Sequence, residues 1–297
     1  MNSEIEIAHL KKNIGRKLIL DDISFSIDRG ETVGLIGRNG AGKTSILKCL
    51  VGLWRFDSGK IFVKGVDITK HKKSLAKVSA LIEYPTLFAH MTLKENIEYF
   101  KILSSCTTEQ AVSELLLILN LQCELDKKIS AFSSGMKQKA CLLIALMRKP
   151  DVLILDEPTS MLDPITAAEI REFIKKIRNK DIAIIISSHN INELEGLCDR
   201  AIVIENGKIS RSIDLSKTTH RYAIEFVNED ELNRITKLAT RYDFLCQNNG
   251  IILFGDANIL KQFLIDMSPN LIDIKNVSVL ESEYISEETN VHKIFKV

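Results

Sequence analysis

The chain has 297 residues, 45% of them hydrophobic and 27% charged, with a formal net charge of +1. This is a globular composition, long enough for one large domain and a small one, and it excludes disordered and collagen-like chains. So small a net charge provides no global field to hold the protein on nucleic acid or an anionic membrane.

The opening segment, MNSEIEIAHLKK, carries early acids and no apolar stretch of signal-peptide length. From there to about Arg211, short β-branched runs alternate with helical patterns. ETVGLIG, KVSALI, DVLILDE and DIAIIISS each read as a strand buried on both faces, because apolar residues follow one another without alternation. TSILKCLVGLW, TLKENIEYFKIL and TAAEIREFIKKIRNK read as the helices between them. This alternation predicts an α/β core with a central parallel sheet. The stretch from Leu93 to Lys149 is helical in pattern almost throughout, so a helical subdomain is expected at about 90–149.

After ENGKIS the polar segment DLSKTTH reads as a linker, which divides the chain into domains at 1–213 and 214–297. Beyond it come a strand (RYAIEFV), a helix (EDELNRITKLATRY) and a hairpin turned at Asn248-Asn249-Gly250. A second helix (ANILKQFLIDM), another strand (LIDIKNVSVL) and an acidic helical tail follow. The order βαββαβ predicts a small α+β, ferredoxin-like domain. The tail acids Glu281, Glu283, Glu287 and Glu288 read most simply as a solvated helix face.

The greasiest runs, LLLILNL and ACLLIALM, fall short of the ~18 residues that span a bilayer. The six cysteines (Cys49, Cys106, Cys123, Cys141, Cys198 and Cys246) are scattered, with no CxxC pair and no Cys/His cluster at metal spacing. Reduced thiols in a soluble cytoplasmic protein are expected, and any work at a membrane must go through a partner that spans it.

Chemistry enters at GRNGAGKT, which fits the pattern G-x-x-x-x-G-K-[ST] between a strand ending at Ile36 and a helix starting near Lys43. Backbone N–H groups of Gly37, Arg38, Asn39, Gly40, Ala41 and Gly42 can turn inward around phosphate oxygens, and the helix N-terminus holding Thr44 and Ser45 adds its positive end. Lys43 is placed to reach the β- and γ-phosphates and Thr44 to offer its hydroxyl to Mg²⁺. VLILDEP supplies the complement, a buried strand with Asp156 and Glu157 at its C-terminal end, where open parallel sheets bind ligands. Asp156 suits the Mg²⁺ shell; Glu157 suits orienting and deprotonating an attacking water. The two motifs together predict a P-loop enzyme that hydrolyses a nucleoside triphosphate.

AFSSGMKQKACLLIALMRKPDVLILDEPTSMLDP resembles, in order and spacing, the ATP-binding subunit of ATP-binding-cassette (ABC) transporters, and the likeness runs from about Glu4 to Arg211. It implies that Ser133, Ser134, Gly135 and Met136 form the signature that opens a helix and holds the γ-phosphate of the other subunit's ATP. It departs from the commonest Leu-Ser-Gly-Gly-Gln form at several positions. It also implies that the loop Ser160 to Asp163 crosses the dimer interface and that His189 is the switch histidine near the γ-phosphate. Read without the family, SSG is a plain helix cap and His189 a structural histidine.

Two positions depart from the family pattern. Ile14 stands where an aromatic ring usually stacks on adenine; it covers a purine by dispersion alone, so base selectivity is expected to be weak. Glu83, at the end of KVSALI, stands where the family has a glutamine that reaches Mg²⁺ and the attacking water and reports to the membrane subunit. It brings a full negative charge to that place. Glu83, the GMKQ signature and the small tail domain resemble the ABC ATPases of bacitracin-type and lantibiotic self-protection.

The resemblance therefore implies a homodimer of ATP-binding subunits that docks on integral-membrane permease subunits, uses ATP and Mg²⁺, and lies peripherally on the cytoplasmic face of the membrane. Pro85 and TLFAHMTLKENI are the expected contact surface. Three other readings stay open: an ABC ATPase subunit for another exported substrate, a module that senses the antibiotic, and a soluble ABC ATPase acting on DNA or ribosomes. Only about 90 residues, without sustained heptads, separate the phosphate loop from the signature, and no basic stripe or interleaved aromatics suggests nucleic acid.

Overall fold

The computed structural model describes residues 3–83, 87–103, 108–178, 181–215, 220–238, 241–247, 250–255, 257–268 and 274–280. The hairpin turn expected at Asn248-Asn249, Pro85, most of the linker and the acidic tail lie outside these residues. The chain divides into two compact units, Met1–Ser212 and Ile213–Val297.

The strands that lie in the first unit are β1 (Ser3–Ile14), β2 (Lys17–Asp28), β3 (Thr32–Ile36), β4 (Ser58–Val63), β5 (Val66–Asp67), β6 (Val78–Leu81), β7 (Val152–Asp156), β8 (Ala183–Ser188) and β9 (Arg200–Glu205), and β10 (Lys208–Asp214) begins in it. Its helices are α1 (Lys43–Leu50), α2 (Leu93–Ile102), α3 (Glu109–Ile118), α4 (Ser134–Met147), α5 (Pro164–Arg178) and the short α6 (Ile191–Leu194). A six-stranded sheet runs β10-β9-β3-β8-β7-β6, with β3, β6, β7, β8 and β9 parallel. All four strands expected from the unbroken apolar runs are in it, but β6 lies at the sheet's edge and is only partly buried, with Ala80 exposed. Residues of β3 and β8 are buried without exception, as a parallel strand covered on both faces requires.

A second sheet, β2-β1-β4-β5, is antiparallel and was not foreseen from the sequence pattern. One apolar cluster joins the two sheets through α1: Ile5, Leu10 and Ile23 on one side, Ile46, Leu47 and Leu50 on the helix, Val33, Ile154, Ile185 and Ile202 on the other. Each such side chain contributes about 1.5–3 kcal/mol by leaving water. The phosphate-loop helix is thus fixed from two sides.

The helical subdomain holds α2, α3 and α4. Thr92 starts α2 through a capping box, its hydroxyl accepting from the Glu95 N–H while the Glu95 carboxylate accepts from the Thr92 N–H. The Asn96 side chain, fully buried, bonds both N–H and C=O of Phe88 and so pins the preceding segment onto α2.

In the second unit, β11 (His220–Phe226), α7 (Glu229–Leu238), β12 (Phe244–Gln247), β13 (Gly250–Gly255), α8 (Ala257–Met267) and β14 (Ile274–Leu280) follow in the expected βαββαβ order. The sheet is antiparallel, in the order β12-β13-β11-β14, which is the ferredoxin-like arrangement. Ile224, Phe226, Ile235, Leu253 and Phe263 form its core.

Candidate active site

Strand register assembles the site. Asp156 pairs with Ser187 across β7 and β8, and Ile36 with Ser188 across β3 and β8, so the ends of three parallel strands lie at one level. Ligands bind at this edge of an open parallel sheet.

Gly37 leaves β3 where no side chain fits: a Cβ there would lie 2.4 Å from the Ile204 carbonyl oxygen. Gly42 has φ +112 and precedes α1 with no side-chain cap, so the first N–H groups of the helix face the loop without a side-chain partner. Behind the loop, the Gly207 N–H donates to the Ala41 carbonyl at 3.0 Å, tying it to the β9–β10 turn. Arg38, Asn39 and Gly40 are exposed at the loop's crest. Lys43 is 5% exposed, donates to the Gly37 carbonyl at 2.7 Å and lies 3.4 Å from the Glu157 carboxylate. The loop is a built cradle with a buried cation at its base.

The other predicted groups converge on it. Thr44 donates to Asp156 at 2.8 Å. Asp156 also accepts from the Ser187 hydroxyl, and that same hydroxyl accepts from the Glu157 N–H at 2.9 Å. The second oxygen of Glu157 lies 3.2 Å from Nδ1 of His189. Glu157 therefore stands between Lys43 and His189, on a backbone with φ +47, a strained setting for a non-glycine residue. Ser187, absent from the sequence-based candidates, orients both acids. Its signal was the pair of serines, Ser187 and Ser188, that closes an otherwise apolar strand.

The hydroxyl of Thr44 and the carboxylate of Asp156 form an adjacent pair of hard oxygen donors, a set that fits Mg²⁺. No cluster of three or more His, Cys, Asp or Glu side chains that would hold a metal by protein ligands alone occurs among the described residues.

The remaining candidates sit elsewhere. Ser133 caps α4, its hydroxyl accepting from the Met136 N–H at 3.2 Å, with Ser134 exposed at the helix start. A Cβ on Gly135 would meet Thr166 at 2.3 Å, so only glycine lets α4 approach α5 this closely. Asp163 accepts from the N–H and hydroxyl of Thr166, and those bonds, the N–H first, hold its carboxyl below the usual range. The signature and the crossing loop are thereby linked through Thr166. Burial pushes the Cys141 thiol in α4 up to about 12, so this cysteine is a core residue. Ile14 is half-exposed at the end of β1.

Glu83 lies two residues beyond Leu81, which pairs with Leu155. Its carboxylate bonds Lys48 of α1 at 2.5 Å. Among the described residues no hydrogen bond or ion pair joins Glu83 to Thr44, Asp156 or Glu157.

Residues 20–160 match the family model described as ABC transporter. A bacitracin transport ATP-binding protein of Bacillus licheniformis is 32% identical over 95% of this chain and 94% of its own length. This chain belongs to the ABC transporter ATP-binding proteins. Another member, an uncharacterised ATP-binding protein of Bacillus subtilis, is 33% identical over 84% of this chain and 83% of its own. A solved ATP-binding subunit of an ABC transporter superposes with a TM-score of 0.66 and 28% identity, covering 72% of this chain and 90% of that one. As an ABC ATP-binding protein the chain is an ATPase, and its hydrolysis of ATP is coupled to transport. No helix among the described residues is long and apolar enough to cross a membrane.

Proposed function

We propose that this protein is the ATP-hydrolysing subunit of an exporter that protects the cell from a bacitracin-like or lantibiotic peptide. The observation that carries the catalytic part is Glu157 held between Lys43 and His189. In this reading the first unit is the ATP-binding domain and the second an accessory domain. Lys43 and the loop N–H groups hold the triphosphate. Thr44 and Asp156 would hold Mg²⁺, which when bound draws charge from the phosphate oxygens. Glu157 orients the attacking water and takes its proton, while His189 steadies the Glu157 carboxylate and the phosphate end.

Two copies face each other, with the exposed Ser134 of one against the nucleotide of the other. Met161 and Ile165, both large, apolar and more than 70% exposed, support a contact surface along the crossing loop. The segment after Glu83, in which Phe88 packs on Tyr99 with ring centroids 4.7 Å apart, meets the permease at the inner face of the membrane. The likeness to the bacitracin transport protein supports the peptide substrate.

The test is co-expression with its permease in a peptide-sensitive Gram-positive host. Resistance to bacitracin or a lantibiotic is expected to rise and to be lost with Glu157→Gln. Resistance that survives that substitution, or protection against neither peptide, overturns the reading.

A further inference from the structure

The strand-end acid Glu83 has a partner that the function above does not use. Lys48 lies one helical turn beyond Thr44 on α1, so the two share a face of the helix. Its ammonium bonds the Glu83 carboxylate at 2.5 Å and lies 4.7 Å from the centre of the Trp54 ring. The Lys48 side chain is only 15% exposed, whereas that of Glu83 is 61% exposed. Trp54 is itself fixed to the helix end, its N–H donating to the Lys48 carbonyl at 3.1 Å. The cation is therefore the anchored member of the pair, and the acid is the one brought to it.

We propose that Lys48 is a positioning residue that balances the charge of Glu83 and thereby permits a carboxylate beside the triphosphate. The inference rests on the reading in which Glu83 faces the nucleotide. A bare carboxylate near a phosphate-binding loop repels ATP, and the more so when no Mg²⁺ accompanies it. With Lys48 in place the pair is neutral. Without it, the charge of Glu83 is felt by the ligand, while an added Mg²⁺ gains an oxygen neighbour and masks the effect. The Trp54 ring also holds the ammonium by a cation–π contact.

Equilibrium binding of a fluorescent ATP analogue, measured in excess EDTA and in excess MgCl₂, tests this on the full chain. Lys48→Met is expected to weaken Mg²⁺-free binding roughly fivefold, the effect of one uncompensated charge across several ångströms of partly screened protein. Binding with Mg²⁺ changes less. Combining Lys48→Met with Glu83→Gln restores the wild-type ratio of the two affinities, and Lys48→Arg preserves it. If Lys48→Met loses the same factor with and without Glu83→Gln, Lys48 acts by packing on Trp54 and the proposal fails. If Glu83→Gln and Lys48→Met each leave both affinities unchanged, Glu83 does not face the nucleotide at all, and the underlying reading falls with the proposal. A thermal melt of each variant separates these outcomes from unfolding, because an unfolded protein loses binding in both media.

Discussion

Glu157 and Glu83 invite comparison because the fold treats them as equivalents. Each lies two residues past a paired leucine, Leu155 on β7 and Leu81 on the neighbouring β6. Each has a positive φ, +47 and +62, and each faces a lysine of α1, Lys43 and Lys48. They differ in surroundings. Glu157 is 27% exposed, 3.4 Å from a buried lysine and shared with His189; Glu83 is mostly exposed and closely paired. The shorter pair contains the more exposed acid, while Glu157 keeps its second oxygen against His189.

Substitution at position 157 should separate the two acids most clearly. Glu157→Gln keeps the shape but removes the proposed base, and turnover of ATP should fall roughly 10²–10⁴-fold, measured as phosphate release at saturating nucleotide. Glu83→Gln, the same change at the equivalent position, should alter turnover only a few-fold, the scale of a single partly screened charge. If the two substitutions cost the same, the distinction between base and neighbour is wrong.

Ser187→Ala asks how much of the difference comes from support beneath the acid. Ser187 is fully buried and its hydroxyl serves Asp156 and the Glu157 N–H together. Its removal takes one bond from each, while Asp156 keeps Thr44 and the Glu157 N–H keeps the Ser187 carbonyl, and should cost about 0.5–1.5 kcal/mol in a denaturant melt. A loss of turnover without loss of stability would instead make Ser187 an orienting group alone.

The parallel sheet was legible in the sequence because burial on both faces leaves no polar break in ETVGLIG or DIAIIISS. The phosphate loop and acidic strand were legible because their chemistry fixes residue type as well as spacing. The antiparallel sheet was not. Register shifts interrupt β1 against β2, with His9 at φ +52 and Asp22 at φ +62, and such bulges erase the period of two on which strand recognition depends. Helix α1 ends at Leu50, earlier than TSILKCLVGLW suggested, because Gly52 takes φ +71 and turns the chain. The partnership of Glu83 with Lys48 joins residues 35 positions apart, and nothing local in either segment announces it.

That partnership should contribute only slightly to stability. An exposed pair is worth about 0.2–1 kcal/mol, and salt screens it because the Debye length shrinks from ~10 Å at 0.1 M to ~3 Å at 1 M. Lys48→Met and Glu83→Gln should each lower the denaturant midpoint slightly at low salt, and the double substitution should cost less than the sum of the two. At high salt the coupling should vanish, leaving only the packing of the Lys48 stem on Trp54. A coupling that persists at 1 M salt would mean that Glu83 is held as firmly as Glu157, and the contrast between a solvated acid and a built-in one would have to be given up.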